Sequence, residues 1–238
     1  HLRPRRQRQM CIRDRMRIWS MSKLVTISLA MDLIEEGLFY LDDPVHKYIP
    51  EFSNLMVAVD SNGESISRSR NEDLDCPHDL VNMDSVMTVQ HLFNHTAGFY
   101  YALTSSKCLN EQIGSNKLLQ AESGNQLINL LSNLPLIQHP GETYFYGFNT
   151  SVLGFLLERV MGTSLSQIFI DRIGKPAKLN GLAYNKPKGI ELLPTFTGRD
   201  GNLREIMDGE LDIFGGEVPN YSRDSKLFLG GEGMLGTA

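Results

Sequence analysis

Ser20 and Lys23 stand three residues apart in RIWSMSKLVTISLAMDLIEEG, Arg17 to Gly37. On a helix that spacing puts a hydroxyl and an amine on one face, within reach of each other. The pair is either an ordinary solvated helix start or a nucleophile with its proton acceptor. A serine hydroxyl attacks a carbonyl only once something removes its proton. An amine can do so where it is neutral, a state that burial beside other cations favours. A helix start adds backbone N–H groups and a positive dipole end, both suited to a developing oxyanion. The spacing alone decides nothing, since ordinary Ser and Lys usage yields roughly one S-x-x-K by chance in a chain of this length.

A second element is PGETYFYGFNTSVLG, Pro140 to Gly154, which sets Tyr146 on a turn just before an apolar helix. A tyrosine there is a general base if a nearby cation stabilises its phenolate. Otherwise Tyr144, Phe145 and Tyr146 are packing aromatics at a helix entry. His91 and His95 lie four apart in HLFNHTAGF, but no acidic third ligand follows at short range, which favours a structural role over zinc. No HExxH, GxSxG or P-loop pattern occurs.

These residues need elements to position them. The pattern from Ser20 to Gly37 predicts one helix burying Leu24, Ile27, Met31 and Ile34, with Gly37 as its stop. Residues 60–84 are polar and turn-rich and read as an exposed loop. Thr88 can cap a short helix through Leu92 and Phe93. Ser123-x-x-Gln126 and Ser164-x-x-Gln167 are capping boxes, and Thr150 to Met161 is a helix closed by Gly162. Beyond about residue 180 strand signals are few, so the reading is mostly helical.

At 41% hydrophobic and 21% charged, the 238 residues fit a globular protein with material for a core. No apolar run reaches the roughly 20 residues that span a bilayer. Cys11, Cys76 and Cys108 are odd in number and widely spaced, and read as reduced or tolerated thiols. The net charge of −5 is uneven, because residues 1–17 hold seven arginines and one aspartate. That concentration in one terminal segment argues against a nucleic-acid-binding protein. The segment has no apolar stretch of signal-peptide length. Its run MCIRDR resembles a translated sequencing-adapter remnant, so residues 1–15 are set apart as non-native or disordered and 16–238 as the folded unit.

Four segments in order resemble the serine β-lactamase-related family, which holds class C β-lactamases, D-Ala-D-Ala carboxypeptidases and esterases of the same fold. RIWSMSKLVTISLAMDLIEEGLFYLDDPVHKYIPEF is similar to the family's catalytic-helix segment, and MTVQHLFNHTAGF to its LLTHTSG element. HPGETYFYGFNTSVLGFLLERVMGTSL resembles the segment carrying the catalytic tyrosine, and GGEGMLGTA the GGGGLVSTA element. The resemblance implies an acylated Ser20, with Lys23 accepting its proton or holding a phenolate, and Tyr146 as general base and later acid. Which of Lys23 and Tyr146 takes the proton stays open. It implies a small-molecule ester or amide substrate and no metal or organic cofactor.

Departures from the pattern refine this. Where the lactamases have Tyr-x-Asn, this chain has Tyr146-Gly147-Phe148, with Asn149 one residue on. Phe148 and Asn149 are the candidate substrate-binding positions, and losing the amide at 148 tilts the reading from lactamase to carboxylesterase. A lactamase, a D-Ala-D-Ala carboxypeptidase and a catalytically silent binding relative are the alternatives. No Lys-Thr-Gly, His-x-Gly or Trp-Gly-Gly strand motif follows the GGEGMLGTA element. The expected fold is therefore α+β, β-lactamase/transpeptidase-like: mostly the helical portion with the catalytic helix, and little or none of the central antiparallel sheet. The compartment, cytoplasmic or periplasmic in a bacterium, and the oligomeric state stay open.

Overall fold

The computed structural model describes residues 15–69, 74, 76–115, 118, 121–190, 192–198, 201–206 and 225–237. Its first regular helix, α1, spans Ser22–Glu35, entered through a 3-10 turn at Trp19–Met21. The expected helix is present, but its buried face is not the expected one. Ser22, Lys23, Thr26, Leu29, Ala30 and Leu33 point inward. Leu24 is 71% exposed and Met31 40%, while Ile27 and Ile34 are half-buried. The helix is apolar almost all round, so periodicity does not choose a face; the elements packed on it do.

Five more α-helices follow among the described residues: α2 at Val89–Phe93, α3 at Lys107–Ser115, α4 at Gly124–Leu131, α5 at Asn149–Met161 and α6 at Leu165–Phe169. The capping signals sit where the sequence predicts them. Ser123 and Ser164 accept from the backbone N–H groups of Gln126 and Gln167. Thr88 closes a capping box on α2, with His91 as the reciprocal partner. Gly162 ends α5 in the left-handed region at φ 62°. The helix α3 escapes the sequence reading because its stretch KCLNEQIGS has few apolar positions to mark a period.

The hub is α5, buried continuously from Asn149 to Leu157 and packed against α1, α2, α4 and α6. Gly154 allows a close crossing: a Cβ there would come within 3.2 Å of the Gly230 Cα. That contact presses the turn at Gly230 to Gly233 against α5 beside α1. A side chain in either place would push the turn away.

Six short strands form three antiparallel pairs among the described residues. β1 (Met16–Arg17) pairs with β6 (Leu235–Gly236), tying the chain ahead of Ser20 to the glycine-rich turn. β2 (Met56–Val59) pairs with β3 (Asp79–Asn82), and β4 (Phe196–Thr197) with β5 (Arg204–Glu205). The pairing of β3 corrects the expectation of a plain loop over 60–84, and β4 to β6 that of an almost strandless end. All four β3 residues are exposed, so no apolar alternation marks them, and only the partner backbone makes them a strand.

Cys76 and Cys108 form a disulfide, against the expectation of reduced thiols. Their wide spacing carries no pairing signal; docking of the segment before β3 on the start of α3 brings them together. Cys11 lies outside the described residues, as do residues 1–14 generally. Arg15 is engaged, its carbonyl accepting from the Leu193 N–H at 2.8 Å. Because the bridge closes a separation of 32 residues, Cys76→Ser lowers stability by about 3–4 kcal/mol on the loop-entropy account. Urea denaturation of the variant beside the oxidised parent measures this, and coincident curves would refute it.

Candidate active site

The local fold around Ser20 is tight. Trp19 takes φ 46°, a left-handed setting that is costly for a bulky side chain. It is fixed from both sides: Ile18 N–H donates to the Met234 carbonyl at 3.1 Å, and Met21 N–H to the Ile18 carbonyl at 3.1 Å. The turn thus places Ser20 ahead of α1 rather than inside it. The Ser22 hydroxyl accepts from the Met234 N–H at 3.1 Å, a second tie to the glycine-rich turn.

Two side chains converge on the Ser20 hydroxyl. Ser20 Oγ and Tyr146 Oη are hydrogen-bonded at 2.5 Å, across 126 residues of chain. Lys23 Nζ donates to Ser20 Oγ at 3.3 Å and to the Gly231 carbonyl at 2.9 Å. Lys23 is only 9% exposed and its Nζ lies 4.8 Å from the Tyr146 ring centroid. In both hydrogen bonds the Lys23 Nζ is the donor. A hydroxyl bonded to a phenol beside a cation can lose its proton to a phenolate that the cation stabilises.

The aromatic surroundings fix Tyr146. His95 stacks on its ring, with centroids 5.2 Å apart and planes 22° off parallel, and Tyr101 tilts against it at 5.4 Å. Burial, with the Lys23 charge second, pushes the His95 imidazole down to about 4. It is therefore neutral near pH 7. Its Nδ1 lies 3.2 Å from the Asn149 amide nitrogen and its Nε2 3.3 Å from Thr150 Oγ. The His95 read as structural in the sequence thus forms the platform under Tyr146.

Of the two candidate substrate-binding positions, both are buried. Phe148 packs on the Tyr101 ring with centroids 4.6 Å apart. Asn149 is the first residue of α5, its amide directed at His95 and at the Phe99 carbonyl, 3.3 Å away. Neither is brought to the Ser20 hydroxyl by a contact among the described residues. Gly147 explains why the three-residue turn can pass so close: a Cβ there would sit 2.2 Å from the Phe99 carbonyl oxygen. Gly147→Ala must displace Tyr146, and we expect at least about tenfold slower modification of Ser20 from a misplacement of this kind. Rates of fluorophosphonate labelling for parent and variant measure it; equal rates would refute the constraint.

Several residues that matter here carried no sequence signal. Tyr101 donates to the Glu232 carboxylate at 3.0 Å, and Ser151 Oγ accepts from the Gly231 N–H at 3.1 Å. A glutamate interrupting a glycine run was the one legible hint. A separate cleft of about 360 Å³, lined by Ser123, Glu158, Arg159 and Ser164 among others, does not include Ser20, Lys23 or Tyr146. Burial pushes the Glu158 carboxyl in it up to about 7. Among the described residues, Cys76, His78 and Cys108 are grouped closely enough for a metal, but the two sulfurs are joined to each other. No helix among the described residues is long and apolar enough to cross a membrane.

Known proteins share this arrangement of chain. The Beta-lactamase family model matches residues 4–238. The ML-236A carboxylate methylbutanoyltransferase mlcH of Penicillium citrinum is 28% identical over 224 residues, 92% of this chain and 48% of that protein. A putative D-alanyl-D-alanine carboxypeptidase of Escherichia coli is 23% identical over 227 residues, 92% of this chain and 45% of its own length. The structure of EstCE1, a hydrolase with promiscuous acyltransferase activity, superposes with TM-score 0.71 at 25% identity, covering 95% of this chain and 56% of that one. This chain thus spans about half the length of the curated relatives it matches. Its mixed helices and strands have the β-lactamase/transpeptidase-like fold, and the chain belongs to the β-lactamase family.

Proposed function

We propose that this chain carries the acyl-serine site of a serine hydrolase acting on carboxylic esters. The observation that carries the reading is the hydrogen bond of 2.5 Å between Ser20 and Tyr146 with the Lys23 ammonium beside both. Tyr146, as a phenolate stabilised by Lys23, takes the Ser20 proton while Oγ attacks the ester carbonyl. The tetrahedral intermediate collapses, its alkoxide leaves with the proton from Tyr146, and an acyl-serine ester remains. Water, deprotonated by the same phenolate, then attacks the ester and frees the acid and Ser20. No step needs a metal or an organic cofactor.

Phe148 supports ester over lactam. An apolar ring buried on Tyr101 offers no hydrogen bond to the amide side chain of a lactam or peptidoglycan peptide. We take residues 16–238 to be a partial β-lactamase-related domain, in keeping with a chain that spans about half the length of these curated relatives. The Cys76–Cys108 bridge favours an oxidising compartment.

A second reading has an alcohol, rather than water, attack the acyl-serine. The names of the methylbutanoyltransferase relative and of EstCE1 favour it. One experiment separates the readings. The full-length protein is incubated with a p-nitrophenyl short-chain ester with and without an added alcohol, and products are quantified by mass spectrometry. Free acid in both cases supports hydrolysis, and a new ester that outpaces the acid supports transfer. No Ser20 adduct with a fluorophosphonate would sink both and leave a silent binding relative.

A further inference from the structure

Glu232 is a carboxylate only 7% exposed, in a turn where its neighbours Gly230, Gly231 and Gly233 have no side chains. The resembling GGGGLVSTA element has glycine at the same place. A buried carboxylate costs several kcal/mol unless it is hydrogen-bonded and offset by opposite charge. Tyr101 Oη donates to Glu232 Oε2 at 3.0 Å, and Ser151 Oγ reaches the same oxygen at 3.4 Å. Ser151 in turn takes the Gly231 N–H, and the Gly231 carbonyl takes the Lys23 ammonium. The path from Glu232 to Lys23 is therefore one residue of backbone. Tyr101 closes the loop from the other side, its ring 5.9 Å from Lys23 Nζ and 5.4 Å from the Tyr146 ring.

We propose that Glu232 is a positioning residue of the Ser20 site: its buried carboxylate anchors Tyr101 and Ser151 and supplies the negative charge that balances the Lys23 ammonium. Gly231 makes the arrangement possible, since a Cβ there would lie 2.6 Å from Ser151 Oγ and 3.2 Å from Lys23 Nζ. The catalytic consequence rests on the acyl-serine reading; the charge coupling does not. A negative charge on this turn opposes the Tyr146 phenolate while it holds Lys23 in place, so Glu232 sets the pH at which the site is armed.

Among the described residues, the titratable groups around the turn include Lys23 from α1, Tyr101 from the loop after α2, and Tyr146 and His95 beneath the serine. His95, at about 4, stays neutral throughout the range of interest. Tyr184, whose Oη lies 3.4 Å from Thr26 Oγ, is pushed up by burial and stays a phenol.

Glu232→Gln separates charge from shape. Both hydroxyls bond one carboxylate oxygen, whose place the glutamine carbonyl can take, so Glu232→Gln keeps these two hydrogen bonds and removes the charge. The decisive measurement is spectrophotometric titration of tyrosinate in the full-length protein. It is repeated on a Tyr146→Phe background so that the difference isolates Tyr146. We expect Glu232→Gln to move the Tyr146 step to lower pH by about one unit, the usual scale for removing one nearby charge. The pH profile of Ser20 fluorophosphonate labelling moves the same way. An unmoved Tyr146 step overturns the proposal whatever the labelling does. A moved step in a protein whose Ser20 is never labelled leaves Glu232 standing and removes the acyl-serine reading. Should Glu232→Gln fail to fold, Tyr101→Phe strips one donor from the carboxylate and moves the step upward; no change there overturns the proposal equally.

Discussion

Ser20→Ala abolishes ester turnover and covalent labelling in the full-length protein while leaving its fold intact. The substitution removes one oxygen from a half-buried turn whose backbone is held by Ile18, Met21 and Met234, so little packing is lost. What is lost is the proposed nucleophile. A loss of about 10⁴-fold or more is expected where the attacking atom is deleted from a covalent mechanism. Intact-protein mass after fluorophosphonate treatment gives the direct reading: an adduct on the parent, none on the variant. Turnover that survives Ser20→Ala would place the chemistry on another residue. The same variant should melt within a few degrees of the parent, which separates loss of chemistry from loss of fold.

Tyr146→Phe carries the second largest effect. The ring keeps its stacking on His95 and its contact with Tyr101, so the platform survives. The hydroxyl bonded to Ser20 at 2.5 Å disappears, and with it the proposed proton carrier. General-base catalysis is worth about 10²–10⁴-fold, and the loss should fall on kcat rather than KM, since the hydroxyl acts in the transition state. Lys23→Met on the same assay decides between the two candidate bases. If Lys23 were the base and Tyr146 a spectator, Tyr146→Phe would retain most of the activity and Lys23→Met none.

Both variants test an arrangement only partly visible in the amino-acid order. Ser20 with Lys23 is local: three residues on one helical stretch, settled by the geometry of a turn. The capping residues Ser123, Ser164 and Thr88, and the stop at Gly162, are local too. Each acts within one turn of backbone, and each lies where the sequence predicts it. The resemblance supplied Tyr146 and the order of the segments, and the family match over residues 4–238 bears that recognition out.

The rest was decided at long range. Which face α1 buries depends on α5 and on the turn at Gly230 to Gly233, not on α1's own composition, because Leu24 and Leu33 are equally apolar yet lie on opposite sides. The strand β3 exists through β2, and the Cys76–Cys108 bridge through the docking of one loop on one helix. Glu232 had no role in the sequence reading; the fold set it against Tyr101 and Ser151, 131 and 81 residues away. By itself the sequence determined most of the helices, α3 excepted, their caps and the Ser20–Lys23 pair, since those rest on bonds between neighbours. Only tertiary packing could bring Tyr146, His95, Tyr101 and Glu232 around that pair, since burial and charge compensation depend on which distant segments meet.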